Sequence, residues 1–427
     1  FIKIKEVFEK EPKEARIRGW VYRHRASKKV VFVMVRDSSG IIQCTFKKGD
    51  VPDETFEKAE NLMIESSVKI KGKVKKDERA PGGFEIKGEE LEVVHQAERF
   101  PIVKDKSTEF LMDVRHLWVR SQKLTNVLKI RSKVFEAIRE YFRKEGFYET
   151  HSPILIPGGA EEGPTLFEVN YYKEKVYLAQ TWQLYAESIL PALEKIFTIA
   201  PAFRAEKSRT SRHLTEFWMT EAEMAWCDLD CSIKITEGLI SHICQKVAKD
   251  CKEELKALGR DPKEMMEIKA PFPRITYTEA LEILKKDGMD VEWGKDLRTL
   301  EERKIASHYK KPVIITHYPK DEMAFYKPKD PENPKTARCY DVICPEIGVE
   351  IVGGSERDLK IEDLKESLKK KGEDIKDYDF YLETRRYGSV PHSGFGLGTE
   401  RVIQWICKLE HIRDTIPFPR TAKRYKP

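Results

Sequence analysis

An α+β chain in two parts, a small all-β barrel followed by a larger domain built on an antiparallel sheet, is what the sequence predicts. Three observations carry that expectation. Five short strand-like runs fall between residues 14 and 96, separated by turn signals. Apolar residues then recur at three- and four-residue spacing from Leu124 to Phe142, the pattern of a long amphipathic helix. Further on, 203–226 reads FRAEKSRTSRHLTEFWMTEAEMAW, two strands joined by a basic loop.

The barrel strands are expected at 15–22, 30–36, 41–47, 67–74 and 85–95, with DSSG at 37–40 and APGG at 80–83 as turns. A helix-like piece at 53–62 lies between the third and fourth, which together predicts an OB-fold barrel. Arg23, His24, Arg25, Lys28 and Lys29 put positive charge beside the barrel face. Phe32 offers a stacking platform for a base and Gln43 a pair of hydrogen-bonding groups for its edge. Phe32 also sits in an apolar run, so a core position is an equally open reading of the residues alone.

From 99 to 120 the periodicity lapses into a polar connector, expected to be a hinge. It divides a barrel domain at 1–98 from a second domain at 121–427. In the latter the helix 124–142 ends at Gly146, a strand follows at 147–150, and Pro153 closes it. Residues 227–335 offer an amphipathic helix near 232–249 and an inserted lobe that reads only as scaffold.

Composition narrows the class. Of 427 residues, 78 are Lys or Arg and 72 Asp or Glu, a net charge of +6; so mild an excess does not by itself argue for nucleic acid. No apolar run approaches the roughly 20 residues that span a bilayer, no secretory leader is evident, and the first residue, Phe1, suggests a trimmed start. Eight scattered cysteines without a C-x-x-C pair are expected to be free thiols in a reducing, cytoplasmic setting.

The stretch 203–226 carries the chemistry. Arg204 and Glu206, two apart on a strand, share a face, as do Phe217, Met219, Glu221 and Glu223 on the next. Arginine forks suit a triphosphate, a carboxylate suits the adenine amino group, and an aromatic ring suits the purine. The plainer reading is a charged hairpin tip.

FRAE, the basic loop and RHLTEF together resemble motif 2 of the class II aminoacyl-tRNA synthetases, in the subgroup that activates aspartate, asparagine and lysine. GFGLGTER at 394–401 resembles motif 3 of the same class, and the helix, strand and proline at 124–153 resemble motif 1, which implies a homodimer. The barrel, with GWV at 19–21 and VRDSSGIIQ at 35–43, resembles the subgroup's anticodon-binding domain; Phe32 and Gln43 match the positions that stack on and read the central uracil, with Arg23 nearby. HIRD at 411–414 and PFPR at 417–420 resemble the closing segment.

The resemblance implies the roles. Arg204 matches the α-phosphate arginine, Glu206 the residue near the adenine amino group, Phe217 the stacking ring, and Arg401 the residue that closes on the γ-phosphate. Arg212 and His213 fall in the loop that meets the pyrophosphate. Asp341 and Glu350 match magnesium positions, hard oxygen ligands of the kind Mg²⁺ takes; as a bare pair of acids they read as surface groups. Amino acid activation needs positioning and charge stabilisation rather than a nucleophile triad.

Substrate choice is expected to lie in QTWQLYAE at 180–187 and IVGGSER at 351–357. Aspartyl members typically carry lysine after QLY; here Ala186 stands there, followed by Glu187. Glu187 is expected to accept the amide of asparagine and repel aspartate, with Gln183 nearby and Arg357 donating to the side-chain oxygen and opposing a lysine substrate. Glu221 is expected to take the substrate ammonium or to be a buried ion-pair partner, and Glu161 belongs to the loop over the amino acid. Glu162 and Pro164 in that loop, Trp182, and Ser211 depart from the family pattern.

The expected activity is ATP-dependent activation of asparagine and its transfer to tRNA(Asn), with ATP as substrate, Mg²⁺ as cofactor, and no membrane or DNA partner. An aspartyl enzyme, one charging both tRNAs included, a paralogue making asparagine without tRNA, and a non-catalytic RNA-binding descendant are the alternatives. Ala186 and Glu187 argue against the first, an intact barrel against the second, and the presence of Arg204, Glu350 and Arg401 against the third.

Overall fold

The computed structural model describes residues 1–103, 106–158, 166–206 and 212–427. The chain divides into two compact units, Phe1–Leu111 and Met112–Pro427.

The first unit is a closed five-stranded barrel in the order β1-β2-β3-β5-β4. Helix α1 (Ile4–Lys10) precedes β1 (Glu14–Ala26), β2 (Val30–Arg36) and β3 (Ile41–Lys47); α2 (Asp53–Glu60) leads to β4 (Ser67–Lys76) and β5 (Phe84–His95). Strict alternation builds it: Val31, Val33 and Val35 of β2 and Ile42, Cys44 and Phe46 of β3 are buried inside, and their neighbours face out. Helix α1 was not legible in the sequence. Its seven residues are too few for a periodic signal, and it is held by Asp37, which accepts from the Ile4 N–H at 3.0 Å, and by Ile4 and Val7 in the barrel core.

In the larger unit, helix α3 (Gln122–Lys144) leads to the two-residue strand β6 (Tyr148–Glu149). Helix α4 (Gln183–Leu193) precedes the antiparallel pair β7 (Lys195–Phe203) and β8 (Glu216–Ala225). After α5 (Leu229–Asp250) come β9 (Arg274–Thr276), α6 (Thr299–Ala306), β10 (Val313–Thr316), β11 (Cys339–Cys344), β12 (Val349–Glu356), β13 (His392–Gly398) and α7 (Thr399–Ile406). The strands form one sheet, β9-β10-β11-β12-β13-β8-β7-β6. Its interior is antiparallel as expected, while both outermost pairs, β9 with β10 and β6 with β7, run parallel.

Helices α3 and α5 cover one face of this sheet. Val127, Ile130, Val134, Ile138 and Phe142 of α3 pack with Ile233, Ile240 and Val247 of α5 over Phe197, Ala222, Met224, Phe395 and Leu397. The rings of Phe142 and Phe197 stack at 4.5 Å. Because strand residues alternate, burying Ala222 and Met224 beneath the helices turns Met219, Glu221 and Glu223 to the opposite face. Glu400 of α7 ties the elements together, accepting from the Trp218 N–H at 2.9 Å and pairing with Arg131 of α3 at 2.7 Å.

Two expectations need correction. The connector 99–120 is not uniformly irregular: short helices occupy Thr108–Asp113 and Arg115–Trp118. Arg115 is buried and donates to the carbonyls of Arg413, Ile416 and Pro417 at 2.8–3.1 Å, so 112–120 belongs to the larger unit. Nor are all eight cysteines free: Cys227 and Cys231 form a disulfide. Asp228 caps α5 by accepting from the Cys231 N–H at 2.9 Å, and the helix's first turn carries residue 231 back over 227. The other six thiols are free and buried.

Candidate active site

The open face of the sheet carries two adjoining cavities that share Arg204, Glu206, Met219, Glu350 and Gly396. The glycines of β13 make their floor. Gly394, Gly396 and Gly398 lie directly across from Glu223, Glu221 and Met219 of β8. A Cβ on Gly396 would stand 2.7 Å from the Met219 methyl, and one on Gly394 would collide with the Glu223 carboxylate. Side chains at these positions would close the space into which the β8 residues project.

Arg204, Glu206, Arg212, His213, Phe217, Glu350 and Arg401 line the first cavity, so every residue expected around ATP is gathered there. The Arg204 guanidinium lies 5.5 Å from the Phe217 ring centroid. Arg401 donates to the Glu350 carboxylate and carbonyl. Burial, then Arg401, pushes the His213 imidazole below its ordinary value. Arg212 is tethered more firmly than expected of a loop arginine. It is buried and donates to the carbonyls of Ile347 and Gly348 at 3.1 and 2.8 Å, with Glu302 of α6 at 3.2 Å. It thereby fastens the chain just before β8 to the β11–β12 turn. Burial and Glu350 push Glu302 up to about 7, against the pull of Arg212 and Arg401.

Gln183, Glu221, Glu223, Asp341, Glu350 and Arg357 line the second cavity. Glu221 accepts from the Trp182 N–H at 2.9 Å and from the Thr181 hydroxyl, which aims its carboxylate beside the start of α4. Arg357 pairs with Glu223 through a fork, Nη2 on one oxygen and Nε on the other, the latter at 3.3 Å. Its guanidinium also lies 5.0 Å from the Tyr326 ring centroid. Burial pushes the Glu223 carboxyl up, Arg357 pulls it back, and Glu187 adds to the upward push.

Glu187 is not where the sequence reading put it. Its side chain is fully buried and is absent from the wall of this cavity. It accepts from Gln183 at 3.0 Å, Tyr381 at 3.1 Å, Arg385, and His392 at 2.9 Å. Arg357 lies between it and the cavity, with Nε 3.8 Å from Glu187. Burial works against the Glu187 charge, but Arg385, His392 and Arg357 together hold the carboxyl far below its ordinary value. The acid that meets the cavity beside Arg357 is Glu223. The alternation of β8 had put it on the correct face, but that pattern alone does not show which acid meets Arg357.

Asp341 and Glu350 converge over Gly353, where a Cβ would stand 3.4 Å from one carboxylate and 3.1 Å from the other. Burial, with Glu350 alongside, pushes Asp341 well above the usual carboxylate range. Two acids crowded together at the wall of one cavity suit a hard divalent cation. Among the described residues no cluster of three or more His, Cys, Asp or Glu could hold a metal, so such an ion would complete its shell with phosphate and water oxygens. Glu161 lies outside the described residues.

In the first unit, Phe32 is partly exposed on the outer face of β2, outside the barrel core. Cross-strand pairing sets Phe32 opposite Arg25 and Thr45, and Met34 opposite Arg23 and Gln43. Arg23, Phe32 and Gln43 therefore share one outer face. The Gln43 amide donates to Glu85 at 3.2 Å.

Residues 107–422 match the family described as tRNA synthetases class II (D, K and N), and 15–94 match an OB-fold nucleic acid binding domain. The chain belongs to these class II tRNA synthetases. Asparagine–tRNA ligase of Thermoplasma acidophilum is 47% identical over 411 residues, 96% of each chain. The enzyme of that name from Thermococcus gammatolerans is 44% identical over 98% of this chain and 97% of its own. Asparaginyl-tRNA synthetase of Pyrococcus horikoshii, solved with asparaginyl-adenylate, superimposes with a TM-score of 0.96 at 44% identity, over 100% of this chain and 99% of that one. In this synthetase, sequence reasoning passed over Tyr381, Arg385 and His392, which hold Glu187, and Glu302, which holds Arg212. Nothing in their spacing marks them, because only the tertiary packing of the helices Thr299–Ala306 and Asp379–Glu383 and of strand β13 brings them there.

Proposed function

We propose that this class II synthetase activates asparagine with ATP to asparaginyl-adenylate and transfers the asparaginyl group to tRNA(Asn). The observation that carries the reading is the Arg357–Glu223 fork at the wall of the second cavity. A carboxamide has one oxygen that accepts and one NH₂ that donates; Arg357 supplies the donor and Glu223 the acceptor. An aspartate side chain has no proton for Glu223 and would be repelled by it. Ala186 is buried and apolar where an aspartyl enzyme typically keeps a lysine.

Glu221 takes the substrate ammonium, and its hydrogen bonds from Thr181 and Trp182 fix it for that purpose. Arg204 draws on the α-phosphate as the substrate carboxylate attacks, Phe217 stacks on one face of the purine and Arg401 on the other, and Glu206 meets the adenine amino group. Arg401 and His213 attend the far phosphates, with Arg212 bracing their loop. Asp341 and Glu350 would hold Mg²⁺, which neutralises phosphate charge when bound. Fixed groups of this kind lower the barrier by positioning and electrostatics.

On the barrel, Phe32 stacks on the central anticodon base, Gln43 reads its edge and Arg23 meets the backbone. The chain works as a homodimer through α3 and the segment after it, where Tyr148, Ile154 and Leu155 leave apolar surface exposed. Among the described residues no helix is long and apolar enough to cross a membrane, and a tRNA substrate places the enzyme in the cytoplasm. Aminoacylation of tRNA(Asn) transcript with labelled asparagine tests the reading. Charging that depends on ATP and asparagine supports it; charging of tRNA(Asp) with aspartate alone would replace it with the aspartyl reading.

A further inference from the structure

Behind the fork lies a second layer of buried charge that the proposed chemistry does not use. Glu187 touches Arg385, His392, Tyr381 and Gln183 and stands 3.8 Å from Arg357. The side chains of Glu187, Glu223, Arg357 and Arg385 are all within 4% of complete burial. Two carboxylates thus balance two guanidiniums, with the His392 ring spanning Glu187 and the Val390 carbonyl at 2.9 and 2.7 Å. Charge in so dry a cluster is weakly screened, and a group one residue back from the wall still acts on a substrate at the wall.

We propose that Glu187 is a positioning residue that sets substrate selectivity through Arg357. By balancing the positive charge behind the wall, it keeps the cavity suited to a neutral carboxamide rather than a carboxylate. This rests on the asparagine reading above. Removing the Glu187 charge raises the cluster by one positive unit whatever charge His392 carries, and that unit attracts the aspartate side chain. It also frees Arg357 from one of its two anions, leaving it more charge to offer a substrate carboxylate. Removing the Arg385 charge has the opposite sign.

The test is ATP–pyrophosphate exchange with asparagine and with aspartate for wild type, Glu187→Gln, Arg385→Gln and the double variant. Where aspartate turns over too slowly, it is read as its inhibition constant against asparagine-dependent exchange. Glu187→Gln is expected to raise the aspartate-to-asparagine ratio on the order of tenfold, Arg385→Gln to lower it, and the double variant, with the wild-type net charge restored, to return towards wild type. A merely structural role lowers both substrates together and leaves the ratio unmoved, which overturns the proposal; so does a ratio that moves the same way in both single variants. If Glu187→Gln yields no folded protein, Arg385→Gln carries the test with its sign reversed. Wild type without asparagine-dependent exchange would overturn the asparagine reading itself, an outcome distinct from an unmoved ratio.

Discussion

Arg401 grips Glu350 at two points, its Nη1 3.2 Å from the carboxylate and 2.8 Å from the carbonyl oxygen. The contact joins the first turn of α7 to β12, so the arginine assigned to the far phosphates and an acid assigned to the metal are held in register by the protein's own contacts. Replacing Arg401 with alanine should reduce the exchange rate roughly 100- to 1,000-fold, the range seen when one preorganised charge-stabilising donor is lost. A reduction below about threefold would mean that Arg401 is an ornament of the fold.

Glu350→Gln should raise the Mg²⁺ concentration that half-saturates exchange, because one of two converging carboxylates loses its charge while its shape is kept. Titrating Mg²⁺ at fixed ATP checks this. An unchanged half-saturation would place the ion elsewhere.

His213 gives a pH dependence. Burial, then Arg401, holds its folded value below the ordinary 6.5. The unfolded chain therefore takes up this proton first as pH falls, and the folded state loses stability from about pH 6.5 down through the folded value. Stability is fully retained above that window. Urea unfolding between pH 5 and 8 should show a shallower acid-side loss for His213→Gln than for wild type; parallel curves would contradict the assignment.

Substituting Glu223 with glutamine keeps the volume but removes the anion from the fork. Asparagine kcat/KM should fall about 100-fold, since a buried polar recognition group is left mismatched, and the urea midpoint should drop because Arg357 loses a buried partner. A variant with wild-type asparagine kinetics would show that the carboxamide is read elsewhere.

Phe32→Ala should raise the KM for tRNA(Asn) about tenfold, in line with the ~1–3 kcal/mol lost with a stacked base. Exchange, which needs no tRNA, should change far less than aminoacylation. Equal losses in both assays would point to unfolding of the barrel instead.

Much of this was legible because it is local. Alternation on β2 and β3 defines the barrel interior, and alternation on β8 puts Phe217, Met219, Glu221 and Glu223 on one face. The open question about Phe32 is settled by a one-residue parity: Val31 and Val33 go inside, so Phe32 goes out. What was illegible is non-local. Glu187 sits in the first turns of α4, where sequence fixes its height but not its direction. That direction comes from Arg385 and His392, 198 and 205 residues further along. Arg212 was expected only to meet the pyrophosphate from its loop; its tether to Glu302, 90 residues away, is made by the fold. Arg115, in a stretch without periodicity, is anchored by carbonyls about 300 residues later.

Exchange of pyrophosphate into ATP by the unmodified protein, with asparagine, aspartate and lysine in parallel, tests the central claim most directly. The account predicts exchange with asparagine and at least a hundredfold lower kcat/KM for the other two, as a mismatched buried fork requires. Aspartate activated as well as asparagine would contradict it, since the Arg357–Glu223 fork would then not be what reads the side chain.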